Sequence, residues 1–372
     1  MAANGKSNPK RDARAKAAER HTAAVAAACA KDIERSLAGV RTFEGMPESW
    51  KAAQAAKKAA VEAAAKVAED EAVHTEGAEG ETANDAAADT QAVEGVEAAE
   101  QAAEDAAAEQ ASDPAAPEAP AVPEVTVFDA TATQVILDNG RGYAQFCDLA
   151  VLDFASFTNP GGGYIKGYMG QESTLCSDSY LYNVLERQRD WYGENRRRNV
   201  NCELYRNRAL VVPAVRFERN HVHAYADVIV AAAPNVRRAR QDYGVKDDVL
   251  VDTLRDRIRF VLALCDDLGR EKLVLGAWGC DNHGFDAEVV AESFRAELAS
   301  GDFKVKQVYF AVPATRWDED FAKLEHAFAT FPEANPESYA EAAARAAEAR
   351  AADEAKAAAE DDEDEDDWRK YL

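Results

Sequence analysis

The chain has 372 residues and a formal net charge of −25 at pH 7. Residues 66–125 carry a net charge of −16 and residues 333–372 a net charge of −9, so the rest of the chain is balanced and need not repel an anionic ligand. No stretch approaches the ~20 apolar residues of a membrane span, and the basic N-terminus lacks the apolar segment of a secretory signal. Six scattered cysteines without a CxxC pair favour a cytoplasmic protein with reduced thiols.

Residues 1–50 are predicted to form a helical extension. Residues 12–37 are rich in alanine and contain neither glycine nor proline. Apolar side chains recur there with helical spacing on one face, at Val25, Cys29, Ile33 and Leu37. Because that face needs a partner, we expect the helix to pack on the domain that follows.

Residues 51–124 consist mostly of alanine and glutamate, followed by spaced prolines. A segment with so few large apolar side chains cannot bury enough surface to offset its ordering entropy. We interpret it as an acidic low-complexity insertion, disordered apart from some fraying helix. Residues 333–372 have a similar composition and are interpreted as an acidic tail.

Residues 125–332 alternate between apolar strands and helices. The patterns predict strands at 125–128, 149–155, 209–215, 226–233, 272–278 and 306–312, and helices at 130–139, 172–189, 247–268 and 286–298. This alternation favours a three-layer α/β/α domain with a mixed, mostly parallel sheet. Ligands of such sheets bind beyond the carboxyl ends of the strands, which directs attention to the loops at 156–171 and 276–285.

The first of these loops contains three consecutive glycines, Gly161, Gly162 and Gly163, after the turn Asn159-Pro160. Glycine serves where φ is positive or where a ligand approaches the backbone, and exposed N–H groups near a helix start attract phosphate. A tight structural turn would explain the same three residues. The spacing is neither GxGxxG nor GxxxxGK[ST], so a Rossmann or Walker loop is not indicated.

The second loop, GAWGCDNHGFD at 276–286, is also rich in glycine and follows another strand. Two such turns at one sheet edge predict a site for a diphosphate, with no cofactor or metal. His283 in this loop is a candidate acid or base, or a polar surface residue. The basic run Arg196–Arg198 lies near Tyr205 and suits either nucleic acid or a solvated loop beside an anionic polymer; we expect no specific nucleic-acid partner and no membrane partner.

Together these segments resemble a known family. VLDFASFTNPGGG, then Gln171-Glu172 after seven residues and LCSDSYLY, is similar to the catalytic loop of microbial-type poly(ADP-ribose) glycohydrolases. ADVIVAAAPN at 226–235 and KLVLGAWGC at 272–280 resemble the same family, which belongs to the macrodomain superfamily of ADP-ribose binders. The resemblance covers about 126–328 and implies a macrodomain at 125–332 that binds ADP-ribose or ADP-ribosylated proteins and polymers.

The resemblance also implies roles for individual residues. It assigns the ribose to Asn159 and the diphosphate to Gly161, Gly162 and Gly163 on one side. Gly279, Cys280 and Gly284 would wrap the other side, with Phe285 against a ribose or the adenine. Gln171, Glu172 and Ser173 would face the sugar that is released, and the family's counterpart of Glu172 positions the ribose; Glu172 is our candidate for the catalytic residue.

One departure from the family pattern affects the chemistry. The family has QEE where this chain has QES, so Ser173 replaces the glutamate that protonates the departing oxygen. Losing general acid–base assistance costs on the order of 10²–10⁴ in rate. Three interpretations stay open: Glu172 does the catalytic work from a shifted position, as an acid if burial prevails or as a base or electrostatic stabiliser if the helix dipole does; the substrate has a better leaving group; or the domain binds ADP-ribose without cleaving it.

A different class of function is a scaffold that acts through its acidic arms. Residues 51–124 and 333–372 could contact basic proteins, but they lack amphipathic anchors that would give specificity. Deleting both segments separates the two classes, because a macrodomain would keep its ligand binding without them.

Overall fold

A computed structural model describes residues 8–76 and 122–369 of the chain. The seven strands of this part are β1 Arg41–Glu44, β2 Glu124–Phe128, β3 Leu149–Phe154, β4 Arg208–Arg219, β5 Val222–Ala231, β6 Lys272–Leu275 and β7 Gln307–Ala311. The twelve α-helices are α1 Pro9–Ala28, α2 Ala30–Ala38, α3 Glu48–Glu76, α4 Ala132–Asn139, α5 Gln171–Ser177, α6 Leu181–Leu185, α7 Arg189–Arg198, α8 Val236–Tyr243, α9 Asp247–Asp267, α10 Ala287–Leu298, α11 Asp320–Phe328 and α12 Tyr339–Arg369.

The chain divides into two compact units. One comprises residues 1–50 and 121–372, and the other comprises residues 51–120. Of the second unit the structure describes residues 51–76, which belong to α3. The remainder of the predicted disordered insertion, 77–121, lies outside the described residues.

All seven strands form one mixed sheet in the order β1-β4-β5-β3-β6-β7-β2. The five strands from β5 to β2 in this order are parallel, whereas β4 runs antiparallel to both β5 and β1. Helices cover both faces, and each face has its own apolar cluster. The predicted three-layer α/β architecture with a mostly parallel sheet is therefore confirmed.

The central strand β3 separates the two clusters. Ala150 and Leu152 belong to the cluster that holds α9 and α10, while Leu149 and Val151 belong to the cluster that holds α4 and α5. The apolar face of α1 and α2, at Val25, Cys29, Ile33 and Leu37, packs against this second cluster. The N-terminal extension thus covers the face of the sheet that carries the first glycine loop.

Several elements differ from the prediction. The helix predicted over 172–189 is broken into α5 and α6, because Ser179 bonds the carbonyl of Leu175 and then the N–H of Leu181, while Asp178 pairs with Arg219 on β4. The basic run Arg196–Arg198 ends helix α7 and is not a loop. Strand β1 was not predicted. Among the described residues, none of the helices is long and apolar enough to cross a membrane.

Candidate active site

The two glycine loops meet at one edge of the sheet. Strands β3 and β6 are parallel neighbours, so the loops that follow them leave the sheet side by side. Between residues 154–173 and 277–283 lies a cleft of about 240 Å³, here called the polar chamber. The predicted convergence of the two loops at the carboxyl ends of adjacent strands is confirmed.

In the first loop the glycines turn toward the protein's own side chains. Gly161 and Gly162 have φ values of +63° and +59°, in the left-handed region that favours glycine. A Cβ at Gly161 would lie 2.6 Å from the Tyr182 ring, and one at Gly162 would lie 2.6 Å from Oε2 of Glu172. Gly162 is therefore required by a close approach to Glu172 and Gly161 by one to Tyr182, which the sequence alone did not indicate.

Glu172 lies in the first turn of α5 and is only 6% exposed. Its Oε2 accepts a hydrogen bond from the Ser156 N–H at 2.8 Å, and the backbone N–H groups of Gly161 and Gly162 lie near this carboxyl and act to lower its pKa. Burial, and next the nearby Asp153 carboxyl, raise the pKa of Glu172 well above its usual value, against the lowering by these N–H groups. Burial therefore favours the protonated form of the Glu172 carboxyl.

Asp153, near the end of β3, is a buried residue that sequence reasoning missed. It is fully buried, and neither carboxylate oxygen has a hydrogen-bond partner. Burial raises the pKa of Asp153 to about 8. The signal was present in LAVLDFA, where one acidic residue interrupts a strand that is otherwise apolar on both faces.

Gln171 connects α5 to the end of β3. Its side-chain nitrogen donates to the carbonyl of Leu152 at 2.8 Å, and its side-chain oxygen accepts from the N–H of Phe154 at 2.9 Å. Both ends of the amide are thus used by the strand, although Gln171 also lines the polar chamber. Ser173, two residues on, lines the chamber as well and is partly exposed.

The second loop forms the opposite wall of the polar chamber through Gly279, Cys280, Asn282 and His283. The loop closes on itself, since the Gly284 N–H donates to the Cys280 carbonyl and the Phe285 N–H donates to the Gly279 carbonyl. Burial raises the pKa of the Cys280 thiol, so it is not a nucleophile. Burial lowers the pKa of His283 to about 4, so its imidazole is neutral at pH 7.

The predicted site residues divide into two groups. Those that line the polar chamber are Gly162, Gly163, Gln171, Glu172, Ser173, Gly279 and Cys280. The other four lie behind or beside the wall. Gly161 packs on Tyr182, Gly284 on Arg237 and Phe285 under Gly279, while Asn159 is exposed and bonds Thr158. Ligand contact stays a prediction for all eleven residues.

The end wall of the chamber is aromatic. Tyr205 has a φ of +61° and stacks on Phe157, with ring centroids 4.4 Å apart, and it lies edge-on to His283. Arg257 is buried beneath it and donates to the carbonyls of Leu204 and Tyr205. The sequence placed Tyr205 near a basic run, but the left-handed turn that carries it to the chamber has no sequence signature.

A second and larger cavity of about 770 Å³, here called the apolar chamber, adjoins the first. The two share a wall that includes Phe154, Met169 and Ser173. Alanines of α1, the start of α4 and the segment after β7 line the rest, including Ala17, Ala132, Val312 and Pro313. The cleft therefore extends along the carboxyl ends of β3, β6, β7 and β2. No cluster of His, Cys, Asp and Glu suited to a metal ion occurs in the part of the chain that the structure describes.

Comparisons with known proteins agree with this geometry. The sequence profile of the microbial-type PARG catalytic domain matches residues 30–220, which is just over half of the chain. The solved poly(ADP-ribose) glycohydrolase of Deinococcus radiodurans, in complex with ADP-ribose, is 27% identical with a TM-score of 0.50, over 56% of this chain and 85% of that one. The glycohydrolase of Thermomonospora curvata is 24% identical with a TM-score of 0.58, over 85% of this chain and all of that one, a likeness that bears on the fold alone.

No curated protein matches the sequence. The profile match contains the first glycine loop and Glu172, whereas the second glycine loop lies beyond it. Since the profile covers more than half of the chain and the fold, loops and buried glutamate fit it, the chain belongs to the family of microbial-type PARG catalytic domains.

Proposed function

We propose that this protein binds ADP-ribose in the two chambers and hydrolyses O-glycosidic ADP-ribosyl linkages, with Glu172 as the catalytic acid. The observation that carries the proposal is a buried carboxyl, whose pKa burial raises, at the wall of a cleft between two glycine loops, in a chain of the PARG family. A neutral carboxylic acid is the group that this reaction needs and that Ser173 cannot supply.

The sizes of the chambers support the placement of the ligand. The polar chamber, at about 240 Å³, is smaller than the roughly 300–1,000 Å³ of small-molecule sites, so a ligand as large as ADP-ribose must extend beyond it. We place the terminal ribose and the diphosphate between Gly162–Gly163 and Gly279–Cys280. The adenosine then occupies the apolar chamber, whose walls suit a flat base.

The reaction needs one proton to leave Glu172 and one to return. As the bond between the anomeric carbon and the leaving oxygen breaks, Glu172 donates its proton to that oxygen. A water molecule adds to the anomeric carbon and gives up a proton to the Glu172 carboxylate, which restores the acid. The N–H groups of Ser156, Gly161 and Gly162 stabilise the carboxylate that exists between the two transfers.

This arrangement supports the first of the three interpretations of QES. In the first turn of α5 the helix dipole favours an ionised carboxylate, whereas burial and the nearby Asp153 raise the pKa of Glu172. Glu172 can therefore serve as an acid without a second glutamate at position 173. We propose proteins or polymers that carry ADP-ribose as the substrates.

The test is hydrolysis of two defined substrates, poly(ADP-ribose) and a mono-ADP-ribosylated protein. We expect the wild type to release ADP-ribose from at least one of them and Glu172→Gln to lose on the order of 10²–10⁴ in rate. Glu292→Gln, on the exposed side of α10, is the matched control and should retain wild-type turnover. Tight binding of ADP-ribose by the wild type without release from either substrate would instead identify a binding module.

A further inference from the structure

Two carboxyl groups meet in one buried layer. Leu149 and Val151 of β3 pack in the same apolar cluster as Leu175 of α5. Because side chains alternate along a strand, the Asp153 side chain points into this layer as well. The Gln171 amide ties α5 to the β3 backbone on both sides of Asp153, at Leu152 and Phe154, and thereby fixes Glu172 beside it.

The two carboxyls have almost no polar partners. Both oxygens of Asp153 and the Oε1 of Glu172 are buried without a hydrogen bond, and only the Oε2 of Glu172 is bonded. Neither group forms an ion pair within residues 8–76 and 122–369. The other titratable groups around them are the Cys176 thiol of α5 and the Tyr192 hydroxyl of α7, both buried. Burial raises the pKa of each, so both are neutral at physiological pH.

Two adjacent buried carboxyls without a cation cannot both be ionised, because each charge is costly to bury and the two repel each other. We propose that Asp153 and Glu172 form a proton-sharing carboxyl pair in which Asp153 is a positioning residue that keeps Glu172 protonated. The inference rests on the role proposed above for Glu172. It explains how one glutamate can act as an acid where Ser173 provides none.

The pair predicts two effects of Asp153→Asn, a nearly isosteric change that removes one carboxyl. First, Glu172 no longer faces a like charge, so the high-pH limb of kcat/KM moves to lower pH by about one pH unit or more. Second, the stability of the wild type falls as pH rises from about 4 to about 8, because the folded state holds protons that the unfolded chain releases. In the variant the folded state holds up to one proton fewer, so its stability falls less steeply with pH. The equilibrium constant for unfolding then changes by up to tenfold less per pH unit than in the wild type.

The experiment measures the pH dependence of kcat/KM, the pH dependence of urea unfolding and the affinity for ADP-ribose. Asp138→Asn, an exposed aspartate of α4, is the control and should change none of them. The proposal is overturned if Asp153→Asn leaves both the high-pH limb of kcat/KM and the slope of stability with pH unchanged. If Asp153→Asn changes the slope of stability with pH but the wild type hydrolyses neither substrate, the carboxyl pair is supported and the proposed function is refuted. The failure of one proposal can thus be told apart from the failure of the other.

A measurement on the wild type alone guards against a variant that does not fold. Infrared spectra of the full chain should show a protonated carboxylic acid at pH 7.5 that disappears as the pH is raised further. A spectrum without that band at pH 7.5 contradicts the proposal whatever the variants do.

Discussion

Replacing Gly162 with alanine tests whether the glycine loop exists to admit Glu172. The residue has a φ of +59°, a conformation that costs a non-glycine residue roughly 1–2 kcal/mol. The new Cβ would lie 2.6 Å from Glu172 Oε2, well inside the 3.4 Å at which ordinary contact begins. To relieve the contact Glu172 must move away from the Ser156 N–H, which leaves a buried polar group unpaired at a cost of about 1–3 kcal/mol.

We therefore expect Gly162→Ala to lose about 2–5 kcal/mol of unfolding free energy and on the order of 10²–10⁴ in the rate of ADP-ribose release. Gly244 provides the matched control, because it has a φ of +64° and its added Cβ would meet no atom within 4 Å. Gly244→Ala should lose only the conformational share, about 1–2 kcal/mol, with unchanged turnover. If the two variants have the same unfolding free energy in urea and the same turnover within error, the contact between Gly162 and Glu172 is refuted.

Two further substitutions probe the start of α5. Ser173→Glu places a second carboxyl at the wall of the polar chamber and should raise the rate of poly(ADP-ribose) hydrolysis by about tenfold or more. The control Ser173→Gln cannot donate a proton at neutral pH and should bring no gain. Equal rates for the two variants would contradict the acid role assigned to this wall. Gln171→Leu leaves two backbone groups of β3 unpaired and should cost about 2–5 kcal/mol in urea unfolding. The control Gln134→Leu, at a partly exposed residue whose amide bonds only the exposed Asp138 side chain, should stay within about 0.5 kcal/mol of wild type. A Gln171→Leu variant as stable as this control would show that the amide does not hold α5 to the sheet.

The layout of the sheet and the position of the loops could be predicted from sequence, since apolar strands and amphipathic helices alternate along 125–332. Strand β1 could not. Its sequence RTFE has one large apolar residue, and it is a strand because Arg41–Glu44 pair with the edge of β4. Helix α7 was missed because Gly193 and three arginines conceal a helix that is anchored by buried Trp191 and Tyr192.

At the site, the sequence pointed to the two glycine loops because both follow strands, and to Glu172 through the resemblance to a known family. It did not show that the Ser156 N–H of the loop bonds to Glu172, nor that Asp153 lies beside that glutamate. Both facts depend on how α5 sits on β3, which is a tertiary contact across some twenty residues. The turn that carries Tyr205 into the chamber depends on Arg257, fifty-two residues further along the chain.

Binding of free ADP-ribose to the full-length protein is the most direct test of the proposed site. Calorimetric titration of the wild type with ADP-ribose should give one site with a dissociation constant below the millimolar range. Glu172→Gln should bind similarly, because its amide keeps the shape of the side chain. A wild type that shows neither heat nor affinity with millimolar ADP-ribose would contradict the placement of the ligand between the two glycine loops, and the proposed hydrolysis with it.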